Sequence, residues 1–416
     1  MLDITFIRNN LELCKTAAVN KNRVVDWDGL LGADEKRREL IKQSEDLRAK
    51  RNLTGKLDSE EDRKVARDAK EALKKIEDEL RIVEEQFESF MLTVPNVPHE
   101  SVPIGKNEDD NVEIKTWGEP KKFDFSVKDH MELGRSLDLM DFERGTKVSG
   151  FRGYFLKNEG ALLEFAILSY ALQKLAGKGF TPMTAPSLVR EFTLFGNAQL
   201  PWGREEIYKM EKDEQYLSGT AEIPITSYFS DEILKEEDFP KKFVAFSPCF
   251  RREAGSYGKD TKGLYRVHQF NKVEQVIVAK NDEEASLQML EELLNNAEEI
   301  LQDLELPYRV LSMCTGDMGE PQIKKYDIET WIPSKGAYGE TMSDSYMGEF
   351  QARRLKIRYK TKDGKTMFCH TLNNTAIASP RILIPILENY QEKDGSVRIP
   401  KVLQPFVGKE RIEPKR

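Results

Sequence analysis

Phe250-Arg251-Arg252-Glu253 closes an apolar run, Phe243-Val244-Ala245-Phe246. After a Gly- and Lys-containing loop (255–263) come Arg266-Val267-His268-Gln269-Phe270 and then Glu274. The pattern predicts two strands joined by a long loop. Residues two apart on a strand share a face, so Arg251 and Glu253 can address one ligand together. A guanidinium matches phosphate, a carboxylate accepts from an exocyclic amine, and Phe270 offers a stacking face. Together they predict a grip on ATP, although the same residues also fit a surface hairpin with ordinary charges.

The 416 residues are 39% hydrophobic and 33% charged, with a formal net charge of −8. Such a chain is long enough for two or three domains with a large core. The negative balance argues against nonspecific nucleic-acid binding by the whole surface but leaves room for a local basic patch. Cys14, Cys249, Cys314 and Cys369 are dispersed, so neither a disulfide framework nor a structural zinc is expected, and a reducing cytoplasm is. The first residues, Met-Leu-Asp-Ile-Thr-Phe, do not resemble a signal peptide. The longest apolar run, 160–176, is broken by Glu164 and Gln173. It predicts a buried helix and no membrane span. No P-loop and no Rossmann glycine fingerprint is present.

Upstream, Ala69, Leu73, Ile76, Leu80, Val83, Phe87 and Phe90 recur at alternating spacings of four and three, a heptad seam flanked by charge. Ser59 with Asp62 resembles a helix-start box. A weaker stripe (Leu40, Ile41, Leu47) precedes it and ends at Thr54-Gly55-Lys56. One antiparallel helical hairpin with its tip near 54–58 accounts for both. Its outer half is basic (Arg48, Arg51, Lys56, Arg63, Lys64, Arg67) and its base is acidic (Glu77, Asp78, Glu84, Glu85). A basic projection suits an RNA backbone. It also fits a coiled coil whose charges only keep it solvated.

Prolines at 95, 98 and 103 mark a boundary, giving domains 1–103 and 104–416. Beyond it, strands are expected at 243–248, 265–278 and 354–360, and helices near 160–176, 283–303 and 378–390. Their irregular succession predicts an α+β architecture and no doubly wound parallel sheet.

Three further segments carry chemistry. Ser218-Gly219-Thr220-Ala221-Glu222-Ile223-Pro224 can present a carboxylate and an amide to a small pocket, or can be a helix start capped by Thr220. Glu274 is a second candidate carboxylate, and two carboxylates lining one pocket ask for a cationic polar ligand. Glu340-Thr341-Met342-Ser343-Asp344-Ser345 offers Glu340 and Ser343 to Mg²⁺ on ATP phosphates, or is a polar loop before a strand. Thr371-Leu372-Asn373-Asn374-Thr375-Ala376 leads through Ala378 and Ser379 to Arg381. That arginine can cover an adenine opposite Phe270 and reach the γ-phosphate, or lie exposed on an amphipathic helix.

Taken together, these segments resemble the seryl-tRNA synthetases of class II, over essentially the whole chain. Thr220-Ala221-Glu222 is similar to that family's serine-binding segment, and 249–263 to its motif 2 loop. Phe350-Gln351-Ala352-Arg353-Arg354 is similar to a further signature, and Leu387-Glu388-Asn389-Tyr390-Gln391 with Pro400 to motif 3. Gly179-Phe180 through Pro186 fits motif 1.

The resemblance implies an arm at 1–103 gripping tRNA(Ser), and a catalytic domain built on a mostly antiparallel sheet flanked by helices. It implies a homodimer, ATP with Mg²⁺ (Glu340, Ser343) and L-serine as substrate. Serine would be held by Thr220, Ala221, Glu222, Arg251, Glu274 and Thr375. ATP would be held by Arg251, Arg252, Glu253, Val267, Phe270, Glu340, Thr341, Met342, Ser343 and Arg381, with Arg251 and Arg381 catalytic. The family also serylates tRNA(Sec) where that tRNA exists.

Two positions depart from the usual pattern. Thr375 stands where serine is usual, and Met342-Ser343-Asp344-Ser345 replaces Ser-Ser-Cys-Ser. Two other readings stay open: a paralogue that loads serine onto a carrier protein, and an RNA-binding relative without catalysis.

Overall fold

The computed structural model describes residues 1–53, 60–256 and 262–414. It divides into two compact units, Met1–Pro95 and Asn96–Arg416.

In the first unit, α1 (Trp27–Leu53) and α2 (Glu60–Thr93) pack against each other. The heptad seam explains the pairing. Leu73 and Val83 on α2 and Leu40 on α1 are buried. Ion pairs cross between the helices at Arg48–Glu77 (2.8 Å), Lys36–Glu79 (3.2 Å) and Arg37–Glu84 (3.6 Å). From Arg37–Glu84 to Arg48–Glu77 the residue number rises on one helix and falls on the other, which is the antiparallel hairpin expected from the seam. These exposed pairs add little stability, and the apolar seam carries most of the pairing. Lys56 and Ser59 lie outside the described residues, as do the side chains of Arg51 and Arg63.

The second unit is built on an eight-stranded sheet. In chain order its strands and main helices are β1 (Val112–Trp117), α3 (His130–Ser136), α4 (Asn158–Gly177), β2 (Thr181–Thr184), α5 (Glu222–Thr226), β3 (Lys241–Phe250), β4 (Gln269–Ala279), α6 (Glu283–Asp303), β5 (Tyr308–Ser312), β6 (Lys324–Ile332), β7 (Ala337–Gly348), α7 (Phe350–Leu355), β8 (His370–Ser379) and α8 (Leu383–Asn389). The strand order is β1-β5-β6-β7-β8-β4-β3-β2. Every pairing is antiparallel except β2 with β3.

Helices α4 and α6 cover one face. α6 is capped by Asp282, which accepts from the Ala285 amide at 3.0 Å. It buries Leu290, Leu293, Leu294, Ala297, Ile300 and Leu301 at helical spacing. Each such leucine contributes about 1.5–3 kcal/mol. The other face of the sheet carries the polar residues discussed below.

Three element bounds differ from the sequence reading. The strand expected from 354 begins at Arg358, because 350–355 is the short helix α7. The helix expected from 378 begins at Leu383, because β8 continues through Ser379. Residues 265–268 precede β4 and are not part of it.

Candidate active site

Alternation along β4 sends Phe270, Lys272 and Glu274 to the open face. Gln275 points back to α6, where its amide donates to the Leu293 carbonyl at 3.3 Å. Two neighbouring strands need a bulge to join this face. Glu340 and Ser343 are three apart on β7, which in a regular strand puts them on opposite sides. The register against β6 slips by one at Thr341, and both then line one cavity. A slip at Ala376 does the same for Thr375 and Ala378 on β8.

Two cavities result. One, of about 80 Å³, is lined by Val267, Phe270, Glu340, Met342 and Arg381 among others. A larger one, of about 490 Å³, is lined by Thr220, Glu222, Glu274 and Asn373 among others. Arg251, Glu253, Arg266, Lys272, Ser343 and Thr375 line both, so the two are continuous.

In the smaller cavity the Arg251 guanidinium sits 5.3 Å from the Phe270 ring centre, and its Nε donates to the Gly219 carbonyl at 3.3 Å. Arg381 lies 4.5 Å over the Tyr265 ring, donates from Nε to the Tyr265 carbonyl (3.1 Å) and pairs with Glu340 at 3.3 Å. Tyr265 in turn donates its hydroxyl to the Glu340 carbonyl at 3.3 Å. Burial opposes charge on Glu340, but Arg381, Lys325, Arg251 and Arg266 prevail and hold its carboxyl below the usual range. Glu253 has left the extended conformation, with φ +54°. It faces Arg266 (3.4 Å) and Arg152 (3.6 Å).

The far end of the loop is fixed by His130, on α3. The Leu264 amide donates to its Nε2 at 3.2 Å, so Nδ1 carries the proton and donates to Glu388 of α8 at 3.2 Å. Gly263 (φ +78°) passes so close that a Cβ there would stand 2.3 Å from that Nε2.

The larger cavity ends in a buried polar cluster. Lys272 Nζ is 2.5 Å from Glu274 Oε2, donates to Thr220 Oγ1 at 2.6 Å and lies 3.5 Å from Thr375 Oγ1. Thr375 Oγ1 donates to Glu274 Oε2 at 3.2 Å. Beside them, half-buried Glu222 accepts from Gln351 at 2.7 Å. The cap position read from the sequence for Thr220 falls instead to Ala221, which makes no side-chain cap bond; Thr220 sits one residue earlier and accepts from the Glu222 amide at 3.2 Å. Burial first, then the neighbouring Glu274, pushes the Glu222 carboxyl up to about 7.

The remaining expected residues divide between the smaller cavity and positions away from both. Ala221 is wholly buried in an apolar cluster with Ile225 and Phe243. Arg252 turns away from both cavities, 3.9 Å from Glu205. Thr341 lines the smaller cavity, with its hydroxyl 2.7 Å from that of Thr330. Met342 lines the smaller cavity at a position where the usual pattern has a hydroxyl. Asp344 lines neither cavity; it is fully buried on the back of the sheet, and burial, reinforced by Glu291, pushes its carboxyl well above the usual range. Lys272, Tyr265 and His130 were not singled out from the sequence, and Gln351 entered only as part of the 350–354 signature, with no role given to it. Lys272 could have been found, because it alternates with Phe270 and Glu274.

Among the described residues no group of three or more His, Cys, Asp or Glu gathers in metal-ligating geometry. Glu340 and Ser343 do offer one carboxylate and one hydroxyl to a common wall. That donor set suits a Mg²⁺ that keeps most of its waters and arrives on phosphates.

Residues 1–98 match the family profile of the seryl-tRNA synthetase N-terminal domain. Residues 206–390 match that of the class II tRNA synthetase core domain (G, H, P, S and T). The chain is 48% identical over 415 residues to a serine–tRNA ligase of Deinococcus radiodurans, covering 98% of each. It is 48% identical over 428 residues to that of Hydrogenobaculum sp., covering 98% of this chain and 99% of the relative. Its structure is similar to that of seryl-tRNA synthetase from Pyrococcus horikoshii complexed with ATP, with TM-score 0.93, 40% identity and 100% of both chains covered. It is also similar to a cytoplasmic serine–tRNA ligase from Naegleria fowleri in complex with AMP, with TM-score 0.89, 33% identity, and 100% and 99% of the chains covered.

Proposed function

This chain belongs to the seryl-tRNA synthetase family, and we propose that the two cavities meeting at Arg251 are where it joins L-serine to ATP. It is a ligase that attaches serine to tRNA by way of seryl-adenylate. The carrier-loading and non-catalytic readings are not favoured.

The observation that carries the site is the position of Arg251 between the two cavities. In the first step a serine carboxylate oxygen bonds to the α-phosphorus of ATP as the bond to pyrophosphate breaks. Two anionic groups must approach each other. Arg251 lies between them, reduces their repulsion and matches the charge growing on the phosphoryl oxygens. Phe270 and Arg381 close on the base, Glu253 addresses its amine, and Glu340 with Ser343 would hold Mg²⁺. When bound, the metal neutralises phosphate charge. In the second step a hydroxyl of the terminal adenosine attacks the seryl carbonyl and AMP leaves. No side chain need act as nucleophile, because positioning and charge carry the rate.

At the serine end, Glu274 and Thr375 receive the hydroxyl, and Glu222 meets the α-ammonium. Alanine and glycine bring no hydroxyl to the second oxygen of the buried Glu274, a strong basis for rejection. Glu222 is charged only above its raised pKa of about 7. The serine KM in ATP–pyrophosphate exchange should therefore rise as pH falls below 7, by about tenfold per unit, with the ATP KM steady. A serine KM that stays flat between pH 8 and 6 would remove Glu222 from this role.

We further propose that residues 1–103 grip tRNA(Ser), with Arg48, Lys64 and Arg67 as phosphate contacts. Arg51, Lys56 and Arg63 are added to this set from the sequence alone, as part of the basic outer half of the arm. tRNA(Sec), in a cell that makes it, is a second substrate. The cytoplasm is the matching compartment.

A homodimer is part of the same reading. Val148, Phe151, Phe155, Leu162 and Phe165 are large, exposed apolar residues within one short stretch, and a second copy is the occupant we assign to them. Sedimentation should give the mass of two chains, and Phe165→Asp should shift it toward one. A wild-type monomer at micromolar concentration would overturn this assignment.

A further inference from the structure

We infer that Lys272 is a specificity-determining positioning residue, the hub that sets which way the hydroxyls of the serine pocket point. This rests on the placement of serine given above. Lys272 is almost fully buried, its side chain 5% exposed, and an ammonium has three donors and no acceptor. The three oxygens nearest its Nζ are Glu274 Oε2, Thr220 Oγ1 and Thr375 Oγ1. A lysine committed in this way offers nothing to a ligand directly.

Its bonds instead fix which neighbouring oxygens donate and which accept. Thr220 Oγ1 accepts from Lys272 and from the Glu222 amide, so its own proton is free to point into the cavity as a donor. Thr375 Oγ1 faces Lys272 with a lone pair and gives its proton to Glu274 Oε2. Glu274 Oε2 is thereby used twice, by Lys272 and by Thr375. Oε1 is the oxygen left to accept, and a serine hydroxyl is the matching donor. The lysine thus converts a carboxylate with several lone pairs into a single directed acceptor. Its charge also acts on Glu222, whose carboxyl is raised first by burial and then by Glu274, and lowered by the Gln351 hydrogen bond, Lys272 and Arg251.

A lysine that served only as a counter-ion for stability would make a different prediction. Its loss would lower stability or total activity without changing which amino acid is chosen. The hub predicts that preference and affinity change while the ATP side does not.

The test is ATP–pyrophosphate exchange with serine and with alanine, by wild type, Lys272→Met and the charge-neutral double variant Lys272→Met/Glu274→Gln. Thermal melting checks folding in parallel. For Lys272→Met the serine KM should rise about 100-fold and the serine-over-alanine preference should fall at least tenfold, with the ATP KM within about twofold. The pH below which serine binding weakens should move upward, because one cation lowering the Glu222 pKa has gone. The double variant removes both buried charges and should melt near wild type, yet still fail to recover the preference. If either variant keeps the wild-type serine-over-alanine ratio and serine KM, the inference is overturned. Wild-type enzyme that does not exchange with serine at all would instead sink the placement of serine on which it rests.

Discussion

Arg251→Ala lowers serine-dependent ATP–pyrophosphate exchange by about 10²–10³-fold, chiefly in kcat, with little change in melting temperature. The expectation follows from where the side chain sits. It is largely exposed, and its hydrogen bond to the Gly219 carbonyl (3.3 Å) and its contact with Phe270 hold it at the junction of the two cavities. Losing it costs the fold little. It costs the transition state the cation that lies between a carboxylate and a phosphate, about 3–4 kcal/mol for such a loss in rate. Arg251→Lys keeps the charge and loses the planar fork, so its rate should fall between wild type and alanine. A near-wild-type rate for the alanine variant would remove the mechanism of the first step.

The second large effect separates the two steps of the reaction. Replacing residues 40–75 by a short turn should leave exchange within about twofold and abolish transfer of serine to tRNA, because backbone contacts supply most of the affinity for RNA. Every residue assigned to adenylate formation belongs to the unit Asn96–Arg416, and the deleted segment to Met1–Pro95. The segment carries Arg48, Lys64, Arg67 and Lys70. Arg48, Arg67 and Lys70 line one cleft with Lys74, and Lys64 is exposed. Lys64→Glu and Arg67→Glu should each raise the KM for tRNA and reduce its salt dependence, leaving exchange untouched. Unimpaired charging by the deletion variant would refute the role given to the arm.

The arm was legible because a heptad seam is a local, periodic signal, visible in α2 from Ala69 to Phe90. The gathering of Arg251, Phe270 and Arg381 on one cavity was legible because they are residue types with few reasons to recur at such spacings in one chain. What escaped was set by distance and by backbone irregularity. His130 meets Leu264 and Glu388 from more than a hundred residues away, and no pattern within α3 announces it. The slips at Thr341 and Ala376 decide which side chains face the cavity, and a strict period of two cannot place them. Lys272 is the instructive case. Its alternation with Phe270 and Glu274 was in plain view, but a lysine on a strand suggests a solvated edge until the carboxylate and two hydroxyls around it are known. The departures from the usual pattern resolve in the same way. Asp344 falls on the back of the sheet. Thr375 keeps its hydroxyl within 3.2 Å of Glu274, and its extra methyl leaves that contact in place.

The central claim, that this site selects serine, activates it with ATP and passes it to tRNA, is tested most directly by ATP–pyrophosphate exchange across the amino acids followed by charging of tRNA(Ser). Exchange should run with serine far above every other amino acid, and serine should be recovered on the tRNA. Exchange driven by threonine or glycine in place of serine would contradict it.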